Sequence, residues 1–391
     1  MKKIKVVRVI TASYVVPWHL ANTLTRMTDD FEVCVVGQGV SKFQEAFPHV
    51  KWVNINIDRK LNPVNDLLAV INLCSFLWNY KPDIVHSIMP KAGLLTAFAG
   101  LFCRIPIRIH TFTGQVWATE SGLRRTIHYL ADKLINSLNT ICLTDSPSQS
   151  AFLYEHKITN AGKPLPVLLK GSLSGVDITR FNNQSLVDQG NRLRESLKLK
   201  KSDFVFSFIA RKSHDKGAID ILNAFAQVVS LKPDAKLLFI GPDESDREIE
   251  RLRNENSDMF NNVFEFDLVD NHEVYLAVAN ILCLPSYREG FGTIVIDAAA
   301  MGVPSIGSNI SGLRDAIEDG KTGRLFPAGN VGGLVEIMLD AIENPNKYNK
   351  IGLAARARVN ANFTADLLYN ALKAFYMQLV VNIIPQSVNE R

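Results

Sequence analysis

Cysteine is scarce and badly placed for cross-linking. Cys34, Cys74, Cys103, Cys142 and Cys283 are five in number, widely separated and free of any Cys-x-x-Cys or Cys/His metal spacing. A disulfide-stapled scaffold is thereby excluded, and a reducing compartment is expected. Charge of one sign is also lacking: 43 Lys and Arg against 39 Asp and Glu leave a net charge of +4. With no basic run interleaved with aromatics, nucleic acid is not an expected partner. Long apolar runs are missing too. Ala92–Cys103 comes nearest and falls short of the roughly 18 residues a membrane span needs. The opening Met-Lys-Lys-Ile-Lys-Val-Val has neither a signal peptide's apolar core nor a small-residue cleavage site, so a cytoplasmic protein is expected. Low-complexity tracts and short-period repeats do not occur.

What is present describes a globular chain, 47% apolar and 21% charged over 391 residues, which is long enough for two domains. Short β-branched runs alternate with helical patterns. In the first half, strands are expected at Ile4–Ile10, Val33–Val36, Ile84–Val85, Ile107–Ile109, Thr140–Thr144 and Leu165–Lys170, with helices at Trp18–Met27, Val64–Trp78 and Gly93–Phe102. The second half restarts with a strand at Phe204–Ala210 and a helix at Ile219–Val229. Strands follow at Lys236–Gly241, Val263–Val269, Ile281–Leu284 and Ser305–Ser308, with helices at Ile294–Met301, Val331–Glu343 and Phe363–Val381. The polar stretch Asn182–Ser202 reads as a surface connection. Such alternation implies α/β domains with parallel sheets covered on both faces.

Two stretches carry chemistry. Leu284–Pro304 runs from a buried strand through Glu289-Gly290-Phe291-Gly292-Thr293 into an alanine-rich helix containing Asp297. A glycine-rich loop opening a helix offers backbone N–H groups and a positive dipole end to a phosphate or a sugar oxygen. The two acids are eight positions apart, nearly one helix face, so both could address one ligand; the plain alternative is a solvated loop acid and a helix-surface acid. The second stretch is Arg211-Lys212-Ser213-His214-Asp215-Lys216-Gly217 at a strand end. Its Arg211 and Lys216 could bridge a diphosphate, or could simply be solvated cations. Elsewhere, Ser121–Ile135 sets Arg124, Arg125 and Lys133 among Leu123, Ile127, Leu130 and Leu134. Most such amphipathic helices only pack on a sheet, but peripheral contact with anionic lipid on the cytoplasmic face of the inner membrane is an alternative. His86 and Lys91 are acceptor-side candidates, though a lone histidine such as His86 is as readily a hydrogen-bonded structural residue. Lys91, at a helix amino end, could meet an acceptor phosphate or be an ordinary surface lysine.

The Glu-Gly-Phe-Gly core with its second acid, and the Arg-x-x-x-x-Lys-Gly element upstream, closely resemble the retaining glycosyltransferases of family 4, bacterial surface-polysaccharide type. The resemblance spans essentially the whole chain and is strongest from Arg211 to Gly323. It implies a GT-B architecture, two Rossmann-like doubly wound domains facing a cleft. Residues 1–175 would form the acceptor-side domain, 176–362 the nucleotide-sugar domain, and 363–391 a helix returning to the first. It implies that Glu289 contacts the transferred sugar and Asp297 the ribose, that Gly290, Phe291 and Gly292 position donor hydroxyls while the helix amino end near Thr293 faces the diphosphate, and that the backbone near Leu268 lines the base pocket. It further implies that Arg211 and Lys216 hold the diphosphate and that His110 faces the anomeric carbon. Departures are Asp297 for the usual Glu, Ala210 for a glycine, Ser174 for an asparagine, Asp267 for a glycine, and no glycines in Thr11–Trp18.

No Asp-x-Asp pair, the usual cation holder of metal-dependent transferases, occurs in the chain, so no metal cofactor is expected. The expected substrates are a nucleotide-sugar donor, UDP-linked by analogy, and a glycan or polyprenyl-diphosphate-linked acceptor. Retention of configuration would follow front-face attack without a covalent intermediate. The competing readings are a sugar-nucleotide epimerase of the same architecture, which needs no acceptor, and a non-catalytic nucleotide- or sugar-binding protein.

Overall fold

The computed structural model describes residues 3–58, 62–159, 162–181 and 184–384. The first half builds one parallel sheet from β1 (Ile4–Ala12), β2 (Phe31–Gln38), β3 (Lys51–Asn54), β4 (Ile84–Ile88), β5 (Ile107–Phe112) and β6 (Ile141–Thr144), in the order β3-β2-β1-β4-β5-β6. Its helices are α1 (Ala21–Asp30), α2 (Pro63–Tyr80), α3 (Pro90–Phe102), α4 (Gly122–Leu138) and α5 (Pro147–Glu155). Local chemistry starts them: Asn62 accepts the Asn65 N–H at 3.3 Å ahead of Pro63, and Ser146 accepts that of Gln149 at 3.3 Å ahead of Pro147. A side-chain acceptor before a proline at the first helical position satisfies donors the helix cannot use itself.

The second half opens with α6 (Gln184–Ser196) and repeats the design with β7 (Phe204–Ile209), β8 (Ala235–Ile240), β9 (Val263–Phe266), β10 (Ile281–Leu284), β11 (Ser305–Ser308) and β12 (Gly323–Phe326). The strand order is β12-β11-β10-β7-β8-β9. Its further helices are α7 (Ala218–Leu231), α8 (Glu248–Glu255), α9 (Ser257–Phe260), α10 (His272–Leu276), α11 (Thr293–Ala300), α12 (Leu313–Ala316), α13 (Val331–Glu343) and α14 (Pro345–Asn362). The last helix, α15 (Ala365–Ile383), packs on the first sheet, where Tyr376 is fully buried. Lys373 pairs with Asp30 at 2.6 Å, and Arg26 with Asp366 at 2.5 Å.

Contacts divide the chain into Met1–Gly175 with Ala365–Arg391, and Val176–Thr364. Both sheets lie between helix layers, so their strands are near-continuous apolar runs such as Val205-Phe206-Ser207-Phe208 rather than alternating ones. No described helix is long and apolar enough to cross a membrane.

Four expectations need correction. Leu165–Lys170 is not a strand; Val167 alone bridges Thr144, because Pro166 has no N–H to donate to a ladder. Asn182–Ser202 is not merely a connection: it contains α6, whose Leu186 is buried and whose Leu193 packs with Val205, Leu238 and Val278. The strand expected to reach Val269 stops at Phe266. The first helix also begins later than expected, at Ala21, after a π-helical turn over Val16–Leu20.

Candidate active site

The order of the second sheet reverses between β7 and β10, one neighbour leading to β8 and the other to β11. In open α/β sheets such a switch leaves a crevice beyond the carboxyl ends of the two strands, where ligands bind. The loop after β7 carries Arg211 to Gly217, and the loop after β10 carries Pro285 to Gly292.

These loops touch because of one residue. Gly217 sits at φ +70°, and a Cβ there would lie 2.1 Å from the Pro285 carbonyl oxygen. Only glycine tolerates both the left-handed backbone and that approach. Gly312 plays the same part on the other side, at φ +85° with its would-be Cβ 2.3 Å from the Gly290 oxygen.

The approach sets Lys216 Nζ 2.6 Å from Glu289 Oε1, which also accepts the Ser286 hydroxyl at 2.9 Å. Beside them Asp215 joins two more cations: its Oδ2 accepts from Arg211 and from Arg288, each at 2.9 Å. The Ser213 hydroxyl donates to Asp215 Oδ1 at 2.5 Å. Burial works against ionising this carboxyl, yet the Ser213 hydrogen bond and the charges of Arg211, Lys216 and Arg288 together pull it down to about 2. Arg211 also reaches Glu244 at 2.5 Å, a pair whose acid is 35% exposed and therefore the easiest to give up to a competing anion. The loop is stiffened by the His214 ring stacked on Tyr287 at 5.0 Å. Three cations on two loops, restrained by carboxylates, form a clamp that a diphosphate could occupy by displacing the weaker acid partners.

Beyond the Glu289 loop, Gly290 lies against Gly312, Phe291 is buried against Phe363, Gly292 takes a left-handed turn at φ +83°, and Thr293 begins α11. Asp297, further along α11, is 7% exposed and meets His272 Nε2 at 3.1 Å. Leu268 stands 55% exposed on the loop after β9, and its N–H is engaged by Asp267 Oδ1 at 2.8 Å. Neither Asp297 nor Leu268 is hydrogen-bonded to the Lys216–Glu289 group.

In the other unit the candidates sit differently. His86 is a core residue rather than an acceptor contact: it is 2% exposed, and its Nδ1 and Nε2 meet the Tyr376 and Thr111 hydroxyls at 2.6 and 2.7 Å. Burial, then the nearby Arg8 and His110, push its pKa well below the usual range. The His110 ring is likewise enclosed, 1% exposed, held by Ser87 Oγ at 2.9 Å and edge-on to Phe112. Burial lowers its pKa to about 3, leaving it neutral. Lys91 is drawn into an ion pair with Asp66 at 2.6 Å.

Asp215, Arg288, Ser286 and His272 did not figure among the expected site residues. Arg288, adjacent to Glu289, and Asp215, adjacent to Lys216, lie inside the two stretches singled out from sequence and were open to finding there. Among the described residues, no group of three His, Cys, Asp or Glu side chains is arranged to hold a metal ion.

Residues 190–358 match the family model described as Glycosyl transferases group 1, and residues 13–161 match Glycosyl transferase 4-like domain. Between them the two matches span most of the chain and mark it as a glycosyltransferase, with a likeness to the family 4 enzymes. Among its relatives is the capsular polysaccharide biosynthesis glycosyltransferase CapM of Staphylococcus aureus, 28% identical over 384 residues, covering 96% of this chain and 97% of the relative. Another is the UDP-Gal:alpha-D-GlcNAc-diphosphoundecaprenol alpha-1,3-galactosyltransferase of Escherichia coli, 22% identical over 329 residues, 83% of this chain and 82% of the relative. Anabaena HepE, solved with UDP-glucose, superimposes with a TM-score of 0.79 at 17% identity over 96% of this chain and all of HepE, which establishes the GT-B fold.

Proposed function

We propose that this chain is a retaining glycosyltransferase of surface-polysaccharide assembly that moves a hexose or N-acetylhexosamine from a UDP-linked donor to a polyprenyl-diphosphate-linked sugar or glycan. The observation that carries the reading is the Lys216–Glu289 pair at 2.6 Å, placed at the β7/β10 switch with Arg211 one carboxylate away. Breaking the bond between the anomeric carbon and the diphosphate builds negative charge on the leaving group and positive charge on the sugar ring. Arg211, Lys216 and the amino end of α11 neutralise the first; Glu289 and the Gly290–Thr293 backbone hold the second in place. Fixed cations supply this stabilisation from the chain itself, which is the support for a reaction that needs no metal. Attack comes from the face the diphosphate leaves, and the departing phosphate takes the acceptor proton, so no glycosyl-enzyme forms. The UDP choice rests on HepE, and the lipid-diphosphate choice on the Escherichia coli relative. A cytoplasmic site agrees with the five free cysteines.

A donor screen by mass spectrometry, with an undecaprenyl-diphosphate N-acetylhexosamine acceptor, tests the reading. Transfer from a UDP-sugar that vanishes in Glu289→Gln is expected. Conversion of the donor sugar without any acceptor would instead identify an epimerase.

A further inference from the structure

A surface helix on a globular protein is apolar where it meets the sheet and polar where it meets water. α2 breaks that rule. Its inner residues Ala69, Leu73 and Leu77 pack into the core with Val7, Val9 and Val85. Its outer face is apolar as well: Val64, Leu67, Leu68 and Ile71 are more than half exposed at the i, i+3, i+4, i+7 spacing, and Trp78 continues the stripe at 61% exposure. A helix apolar all round is one whose outer side is also covered.

The helices beside it repeat the pattern. On α3, Phe98, Leu101 and Phe102 face outward, Phe102 at 74% exposure. On α4 the outward stripe is Leu123, Ile127, Leu130 and Leu134, with Leu123 at 76%. α3 packs against α2 on one side and α4 on the other. The three are the crossovers from β3 to β4, β4 to β5 and β5 to β6, and right-handed crossovers running in one direction lie on one face of a sheet. Their outer stripes therefore form one layer, far larger than the scattered apolar residues of an ordinary surface. Between α2 and α3 a groove of about 230 Å³, lined by Cys74, Trp78, Phe102 and Cys103, opens into it.

Charge selects the occupant. The exposed ionic groups of this layer are cations: Lys81 at the end of α2, Arg104 after α3, and Arg124 and Arg125 on α4. The carboxylates here are already engaged: Asp66 is paired with Lys91 at 2.6 Å, Asp132 is buried against Trp117 Nε1 at 2.7 Å, and Glu120, just ahead of α4, meets His128 Nδ1 at 2.6 Å. A second copy of the chain would bring like charges together. An anionic bilayer satisfies both the apolar stripes and the cations, with amphipathic helices lying in the interface rather than spanning it.

We propose that α2, α3 and α4 together form a docking face that rests on anionic lipid, with the α2 stripe entering the headgroup boundary. The face lies in the unit that does not carry the donor clamp, and its binding does not depend on which sugar is transferred.

The test is flotation of the full-length protein with vesicles of phosphatidylglycerol and phosphatidylcholine, and with phosphatidylcholine alone. Recovery with the anionic vesicles, declining as salt is raised, is expected. Arg124→Ala with Arg125→Ala should weaken binding about 30-fold, and Leu68→Ser with Ile71→Ser about tenfold or more. UDP binding and thermal melting of both variants should match the parent protein, which separates loss of docking from loss of fold. A parent protein that floats but binds no UDP supports the docking face and counts only against the donor reading. The proposal is overturned by absent recovery with anionic vesicles, or by equal recovery of all three proteins. It is equally overturned if the parent sediments as a dimer that Leu68→Ser with Ile71→Ser dissolves, which would assign the face to a second copy.

Discussion

The two sheets share one strand order, third, second, first, fourth, fifth, sixth within each unit, yet they hold their polar groups differently. In the first, the histidines of β4 and β5 are turned inward and used up by the fold: His86 by Tyr376 and Thr111, His110 by Ser87. In the second, Arg211, Lys216 and Glu289 stand on loops beyond the strands, with side chains 19%, 17% and 13% exposed. The shared topology supplies the same location twice. Whether that location is chemical depends on whether its polar groups are ionised and reachable, which is a property of the residues and not of the fold.

The sharpest way to break this contrast is Lys216→Ala. It removes a cation from beside the leaving diphosphate and leaves Glu289 without its partner, so kcat/KM for the nucleotide sugar should fall about 1,000-fold. A drop of less than tenfold would mean that the diphosphate is held elsewhere.

Asp215→Asn probes the restraint on the clamp, and a tenfold loss of kcat/KM is expected, on the order of 1.4 kcal/mol, as Arg211 and Arg288 lose their shared anchor. Because the folded carboxyl titrates at about 2, below its ordinary 3.8, it contributes stability that is present above about pH 4 and is lost as pH falls through 2. After discounting for partial exposure, that contribution is about 1 to 2 kcal/mol. Acid-unfolding curves should therefore show Asp215→Asn less stable at pH 7 and the gap closing towards pH 2. A gap that stays constant with pH would show that the carboxylate is not held by charge.

The smallest effect belongs to the first sheet. Tyr376→Phe removes the hydroxyl that satisfies His86 and should cost about 1 kcal/mol of stability in denaturant melts, with kcat/KM for the donor within twofold of the parent. A larger catalytic loss would erase the distinction drawn between the sheets.

Burial explains which elements can be read from sequence. Strands buried on both faces, such as β7 and β10, appear as nearly continuous apolar runs. The edge strand β3, Lys-Trp-Val-Asn, has only two apolar residues between polar ones and is too short to stand out. α6 was hidden because only a narrow side of Gln184–Ser196 is apolar, and Leu165–Lys170 imitates a strand until Pro166 is counted.

The sequence by itself determined the alternation of strand and helix, the restart of the pattern at Phe204, and the presence of Arg211, Lys216 and the Glu289 loop, since each is written in adjacent residues. Only the tertiary structure decided that Lys216 meets Glu289, that Asp215 ties Arg211 to Arg288, that His86 and His110 are enclosed, and that three outer helix faces share one layer. Those facts depend on the approach of segments up to 290 residues apart, as for His86 and Tyr376. Such approaches are set by packing and by the space a glycine leaves open, and no local pattern records them.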